Sequence, residues 1–378
     1  MRLFLVVYLS LYSLLHLYAF IKVKAACQFG WRTGLLVGMF FILMIFAPVI
    51  VRLTENAGHE IFARGMAYIG YTWMAILFLF FSVSILIDLY RLLIWLTGLI
   101  MNKDMSGFAI TPLVAFLVPL AVSLCVAVYG YFEALNIKTD HITIETTKLP
   151  PNVERFRIAQ ISDVHIGLIV REDRLERMIK KIREADPDIL VSTGDLLDGQ
   201  INGISELATN FSAYKPRLGK YAVTGNHEYI AGIKPAIEFT ENAGFKVLRS
   251  ESINIGNIVT LAGVDDQGSS TTGIVNNPDE KALLGPLPKD RFTVFLKHRP
   301  LIKPGSAGLF DLQLSGHAHK GQIFPFSIIT HYYYTHQAGL LKFDGGMLYI
   351  SRGTGTWGPP IRFLAPPEVT VIDLVRKK

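Results

Sequence analysis

The sequence predicts an α/β domain preceded by an all-α transmembrane region of about four helices. Three observations carry that expectation. The overall composition, 51% hydrophobic and 18% charged over 378 residues, averages two unlike parts: residues 1–135 are mostly apolar, and residues 136–378 read as a soluble domain. In the second part, short apolar runs alternate with polar loops and helical patterns, the rhythm of an α/β fold. Five of those runs end in Asp, Asn or His. The second part holds about 240 residues, enough for one sizeable core.

Four stretches have the roughly 20 apolar residues needed to cross a bilayer. They are 3–20, 35–51, 68–87 and 110–131. No clear small-residue cleavage site follows the first, and more spans come after it, so an uncleaved span is expected rather than a signal peptide. The third run overshoots, because a helix over 66–101 would measure roughly 54 Å against a hydrocarbon core of about 30 Å. Asp88 and Arg91 are therefore expected at the interface, with 92–100 lying along the membrane or packing back on it. An intramembrane ion pair is the alternative. Four spans put the amino terminus and the second domain on one side. Arg2, Arg52, Arg64, Lys138 and Lys148 flank one face, and Lys22, Lys24, Arg32, Arg91 and Lys103 the other. That balance leaves the positive-inside rule undecided. The tight Lys22/Lys24/Arg32 loop tips the expectation towards a cytoplasmic first loop and an extracytoplasmic domain in a multi-pass cell-membrane protein.

The second domain reads in order. His141-Ile142-Thr143-Ile144-Glu145 alternates like a strand. The run Ile158–Ile161 follows and ends in Asp163 and His165. Leu175, Met178, Ile179 and Ile182 keep the spacing of an amphipathic helix, which Pro187 ends. Strands at 189–192 and 221–223 run into Gly194-Asp195-Leu196-Leu197-Asp198 and Gly225-Asn226-His227-Glu228. A helix over 235–243 stops at Gly244, and Val247 and 258–261 belong to further strands. Strands at 292–296 and 312–314 deliver His298 and Gly316-His317-Ala318-His319. The last strands fall near 348–350 and 369–374, and 263–277 reads as a polar loop. No internal repeat or low-complexity segment is present.

A strand alternates its faces, so Asp163 and His165 can point into one site, and a carboxylate with an imidazole suits a divalent metal. Alone the pair is weak, but five such deliveries at strand ends, where open α/β sheets carry their sites, are not chance. Cys27 and Cys125 lie in or beside apolar segments, which excludes an all-thiolate zinc site and implies no disulfide framework. The formal charge of +6 suits membrane-flanking loops and an anionic substrate. No basic run or RNA-binding signature appears, so no nucleic-acid partner is expected.

Taken together, Asp163-x-His165, Gly194-Asp195-x-x-Asp198, Gly225-Asn226-His227-Glu228, His298 and Gly316-His317-x-His319 resemble the motifs of calcineurin-like metallophosphoesterases. The resemblance runs from about residue 140 to the end and leaves the spans unexplained. It implies a four-layer sandwich of two mixed sheets flanked by helices. It also implies two divalent ions, with manganese, iron and zinc all compatible. Asp163, His165 and His319 would hold the first ion, Asn226, His298 and His317 the second, and Asp195 would bridge them. His227 would be the acid at the leaving oxygen, oriented by Asp198, and Glu228 would support the loop. Where the membrane-linked branch usually reads Gly-Gly-Gln, this chain has Lys320-Gly321-Gln322. Lys320, Arg352 and Arg362 are candidates for holding a substrate phosphate; Arg299 is a further departure from the family pattern. Gly194, Gly225 and Gly316 are expected at tight turns, and His331 and His336 as surface or packing residues.

The implied reaction is hydrolysis of a phosphoester or pyrophosphate. The bilayer is the implied partner, and a lipid or lipid-linked phosphate the favoured substrate. The alternatives are a general nucleotide phosphodiesterase on a membrane anchor, a non-catalytic scaffold, and a regulated channel or transporter.

Overall fold

The computed structural model describes residues 2–199, 203–269, 274–275 and 278–377. They form two compact units, 1–132 with 358–361 and 133–357 with 362–378.

The first unit is helical: α1 (Arg2–Cys27), α2 (Trp31–Asn56), α3 (Glu60–Met101) and most of α4 (Pro112–Leu135). All four helices are long and apolar enough to cross a membrane. Most of their large apolar side chains point outward, as lipid-facing surfaces do. The residues packed inside are often small, such as Ala47, Ala63 and Ala67, which lets helices approach closely. One expectation fails here. Residues 92–100 do not turn along the membrane or pack back; they continue α3 without a break. An unbroken helix keeps every backbone group paired where water is absent, and no Pro interrupts this run. The partners of Asp88 are also on another helix: Lys22 forms its ion pair, and the Tyr18 hydroxyl donates to it at 2.6 Å.

The second unit begins at once. β1 (Lys138–Thr146) starts three residues after α4 ends, and β2 (Arg155–Ile161) follows. Next come α5 (Glu172–Ala185), β3 (Ile189–Ser192), α6 (Ser205–Ser212), β4 (Lys220–Ala222), α7 (Asn226–Ala231), α8 (Ile233–Asn242) and β5 (Lys246–Val247). The chain continues through β6 (Glu251–Ile255), β7 (Val259–Gly263), β8 (Gly268–Ser269), β9 (Ile274–Val275), α9 (Glu280–Leu284), β10 (Phe292–Leu296) and β11 (Leu312–Ser315). It closes with α10 (Phe326–Tyr333), β12 (Gly339–Phe343), β13 (Gly346–Ile350) and β14 (Glu368–Arg376).

Two mixed six-stranded sheets result, ordered β1-β14-β2-β3-β4-β5 and β12-β13-β11-β10-β7-β6. Strand alternation explains how they stack. On β10, Phe292, Val294 and Leu296 join Ile158, Val191 and Leu312 in the core shared by the sheets, whereas Phe295 joins Leu284 of α9 on the other face. The predicted amphipathic helix is α5, with Leu175, Met178, Ile179 and Ile182 buried. This is the expected α/β architecture. The sequence pattern missed β6 and β12, both at sheet edges, where a strand is held by its single neighbour rather than by a buried apolar run. Part of the expected loop over 263–277 is the β8–β9 pair; positions 270–273 and 276–277 lie outside the described residues.

One cross-strand ion pair yields a prediction. Arg157 and Asp373 sit opposite each other on β2 and β14, and the guanidinium donates to both carboxylate oxygens at 2.7 and 2.9 Å. Arg157 holds the Asp373 carboxyl below its usual pKa. A depressed folded pKa stabilises above the unfolded value, about 3.9, and that stability is lost as pH falls through the folded value. Asp373→Asn should therefore cost about 1 kcal/mol at neutral pH, since solvent at the sheet surface screens the pair. The Tm gap between variant and wild type should narrow below about pH 4. A gap that stays constant down to pH 3 would show that ionisation of Asp373 is not its source.

Candidate metal centre

The motif residues leave their strands into one crowded volume, by an unexpected route. β2 ends at Ile161, so strand alternation does not orient Asp163 and His165. Each has left-handed backbone instead, with φ of 51° and 53°. Asp195, His317 and His319 share that conformation, at 51°, 69° and 48°. Left-handed backbone in non-glycine residues is strained and clusters at functional sites. Hydrogen bonds between the loops hold it in place: Asp163 N–H donates to Gly194 O at 3.0 Å, His165 N–H to Asp195 O at 3.0 Å, and Gly316 N–H to His298 O at 2.9 Å. The buried Glu228 carboxylate accepts from the N–H groups of Asp195, Gly225 and Leu197, tying two motif loops together. Three glycines make the approach possible. Gly194 has φ of 94°, and a Cβ on Gly316 would stand 1.9 Å from Ser162 Oγ and 2.1 Å from Asp163 Oδ2. Gly225 is not at a left-handed turn; it is needed because Asp195 lies against it.

Among the described residues, three groups of side chains offer metal-type atoms within 4.8 Å of one another: Asp163/His165/His319, Asp195/His298/His317 and His165/Asp195/His227. In the first, His165 Nε2 and His319 Nε2 are 3.2 Å apart, and His319 Nε2 is 3.2 Å from Asp163 Oδ1. In the second, His317 Nδ1 and His298 Nε2 are 3.1 Å apart, and His298 Nε2 is 3.2 Å from Asp195 Oδ2. Asp195 joins the groups. Its Oδ1 accepts from His227 N–H at 2.8 Å, while Oδ2 lies between His298 and, at 3.9 Å, His165 Nε2.

Electrostatics and orphaned atoms test whether these residues fit divalent ions. Burial opposes ionisation of Asp163 and Asp195, yet the surrounding histidines hold both carboxyls below their usual range. Burial likewise opposes charge on His298, but Asp195 and Asp163 raise its pKa to about 10. Burial pushes His317 and His319 down to about 3 and 4, so they offer neutral lone pairs. The pocket thus attracts positive charge and has neutral donors ready for it. His298 Nδ1 donates to Thr193 O at 2.8 Å, which turns Nε2 towards the site. Asn226 Oδ1 is buried with no hydrogen-bond partner, an arrangement that a metal would satisfy. The donors fit.

Two expectations need correcting. Asp198 does not orient His227 chiefly through its carboxylate: His227 Nδ1 bonds the Asp198 backbone carbonyl, and Asp198 Oδ1 lies 3.5 Å from that nitrogen and 3.4 Å from His165 Nδ1. The carboxylate therefore also backs His165. The two arginines are not available for a substrate phosphate. Arg352 is engaged by Asp140 at 2.8 Å, Glu368 at 2.5 Å and Pro366 O. Arg362 is wholly buried, bonding the carbonyls of Gly355, Arg352 and Ala365. Both fork geometries are spent on the protein. Lys320 is exposed, as are His331 and His336. Arg299 pairs with Asp266 at 2.9 Å.

Contacts absent from the sequence reading include Ser162, whose hydroxyl donates to Asp163 at 2.5 Å, and Trp357, whose ring lies 6.0 Å from that of His227. Gln322 holds Trp357 there through two hydrogen bonds of 2.9 Å to its backbone.

Residues 156–321 match the family model of the calcineurin-like phosphoesterase. An Aquifex aeolicus protein named an uncharacterized metallophosphoesterase is 38% identical over 259 residues, 68% of this chain and 98% of that one. This chain belongs to the calcineurin-like metallophosphoesterase family. The metallophosphoesterase is also 30% identical over 269 residues to a Danio rerio "Transmembrane protein with metallophosphoesterase domain", covering 68% of this chain and 61% of that protein. Four apolar helices and such relatives make it a membrane protein. Among solved structures, a Thermus thermophilus 5'-nucleotidase precursor aligns with a TM-score of 0.35 and 16% identity, over 58% of this metallophosphoesterase and about half (54%) of that chain.

Proposed function

We propose that this metallophosphoesterase hydrolyses phosphoester or pyrophosphate bonds in a lipid or lipid-linked substrate, using two divalent ions. The observation that carries the reading is the pair of donor groups Asp163/His165/His319 and Asp195/His298/His317, linked by a third group in which His165 and Asp195 come together. Asp163, His165 and His319 would hold one ion, Asn226, His298 and His317 the other, and Asp195 both; manganese, iron and zinc suit this donor set. Bound there, divalent ions supply positive charge for the phosphoryl oxygens and acidify water.

The chain's own groups complete the chemistry. His227 Nδ1 donates to the Asp198 carbonyl, which leaves Nε2 as the atom that gives its proton to the leaving oxygen. The Asp198 carboxylate lies 3.5 Å from the same nitrogen. Glu228 keeps its acceptors on backbone N–H groups and does no proton transfer. Lipid presentation is supported by the spans and by the connection of only two residues between α4 and β1, a short tether to the membrane helices. Lys22, Lys24 and Arg32 support an extracytoplasmic site.

A nucleotide substrate is the second reading, favoured by the half-exposed face of Trp357 beside His227, a surface on which a base can stack. The test is hydrolysis by full-length protein, stripped of metal and then given manganese, iron or zinc. The panel is p-nitrophenyl phosphate, its bis ester, a phosphatidate, a nucleotide-linked acyl sugar and a free nucleotide diester. Preference for a lipid substrate, lost in Asp195→Asn, is expected. Turnover of the nucleotide alone would move the assignment to the second reading, and no turnover by metal-loaded protein would point to a scaffold.

A further inference from the structure

α10 follows the Gly316–His319 motif and packs poorly on its own domain. Its sequence, Phe-Ser-Ile-Ile-Thr-His-Tyr-Tyr, carries no Lys, Arg, Asp or Glu, and none of its residues is buried. Tyr332, Tyr333 and Ile328 are 87, 72 and 65% exposed. The apolar surface extends beyond the helix. Ile323 and Phe363 form a bridge that sets Phe324 beside Leu364, and both of these are more than 40% exposed. A contiguous surface of this kind marks an interaction site.

Its place in the chain says what covers it. Leu364 N–H bonds the carboxylate of Glu133, a residue of the same unit and the one with which the chain enters that unit from the fourth candidate span. Tyrosines beside aliphatic side chains are the chemistry of the membrane–water interface, where the ring is apolar and the hydroxyl wet. Lys320, exposed just ahead of the helix, suits phosphate headgroups. At the other end of α10, the Tyr334 ring meets His317 edge-on at 5.6 Å.

We propose that α10, with Phe324 and Leu364, lies in the interfacial layer of the bilayer as a monotopic contact, and that through Tyr334 it sets the height of the metal centre above the headgroups. This holds whether the substrate is a lipid or a soluble ester.

The test uses full-length protein in nanodiscs holding one chain each, with Cys27 and Cys125 replaced by serine. A bimane probe is attached at Ile329→Cys, or at Lys180→Cys on the exposed face of α5 as the reference. Replacing plain phosphatidylcholine by a doxyl-labelled form should reduce emission at position 329 at least about twofold and leave position 180 unchanged. Adding Tyr332→Glu and Tyr333→Glu should abolish the quenching at 329 without moving Tm, since those side chains are exposed. Equal quenching at the two positions overturns the proposal. Quenching that is absent in single-chain discs, with 329 shielded only when chains are crowded in vesicles, also overturns it and assigns the face to a second copy.

Discussion

Asp195→Asn is expected to lower metal-dependent turnover of bis-p-nitrophenyl phosphate by at least about 1000-fold. It is also expected to strip divalent metal from both donor groups. The amide has the shape of the carboxylate and can still accept from His227 N–H through Oδ1, so the loop keeps its anchor. What disappears is the negative charge of the oxygen between His298 and His165. The raised pKa of His298 shows the strength of that charge, since burial alone would disfavour its protonated ring and Asp195 overcomes it. Neutralising the carboxylate proposed to serve both ions should remove attraction for two ions at once, whereas Asp163 and His317 each fall in a single donor group. Metal content by mass spectrometry and turnover by absorbance check the two halves separately. Wild-type metal content with turnover within tenfold of wild type would show that Asp195 is not the shared residue.

The site was legible in the sequence to the level of residue type, because buried strands and divalent-metal donors are both written in local pattern. The α/β alternation and the amphipathic face of α5 follow from side-chain periodicity, which is a sequence property. What failed was geometry set by the backbone. Strand alternation alone predicts that Asp163 and His165 align, yet both lie past the strand in left-handed conformation, bonded by the Gly194, Asp195 and Thr354 loops around them. Arg352 and Arg362 failed for a related reason. An arginine near a phosphate site reads as a phosphate ligand, but Asp140 and Glu368 occupy Arg352, and three backbone carbonyls of the folded 352–365 loop occupy Arg362. The continuity of α3 was hidden too, since Asp88 marks an interface only if nothing inside the bundle binds it, and Lys22 does.

Arg362→Met is expected to lower the Tm of the phosphoesterase domain by about 10 °C, a structural effect far larger than loss of a substrate contact would give. The guanidinium bonds Gly355 O at 2.8 Å, Arg352 O at 2.7 Å and Ala365 O at 2.9 Å, all within the protein. Methionine fills similar volume but leaves those carbonyls without donors, at roughly 1–3 kcal/mol each. Relief from burying a cation, whose pKa burial pushes down to about 10, offsets part of this. A net cost of about 3–5 kcal/mol remains. Arg362→Lys should recover little, because one ammonium cannot reach three carbonyls arranged for a planar fork. Arg362 also backs the metal centre, with Nη2 3.3 Å from His319 Nδ1. Metal titration of the folded Met variant below its Tm should therefore show affinity reduced about tenfold at one of two sites, as expected when the support behind a ligand is lost. Were the arginine a phosphate ligand instead, the Met variant would keep its Tm and metal affinity and raise only KM. That combination of results would reject the positioning role.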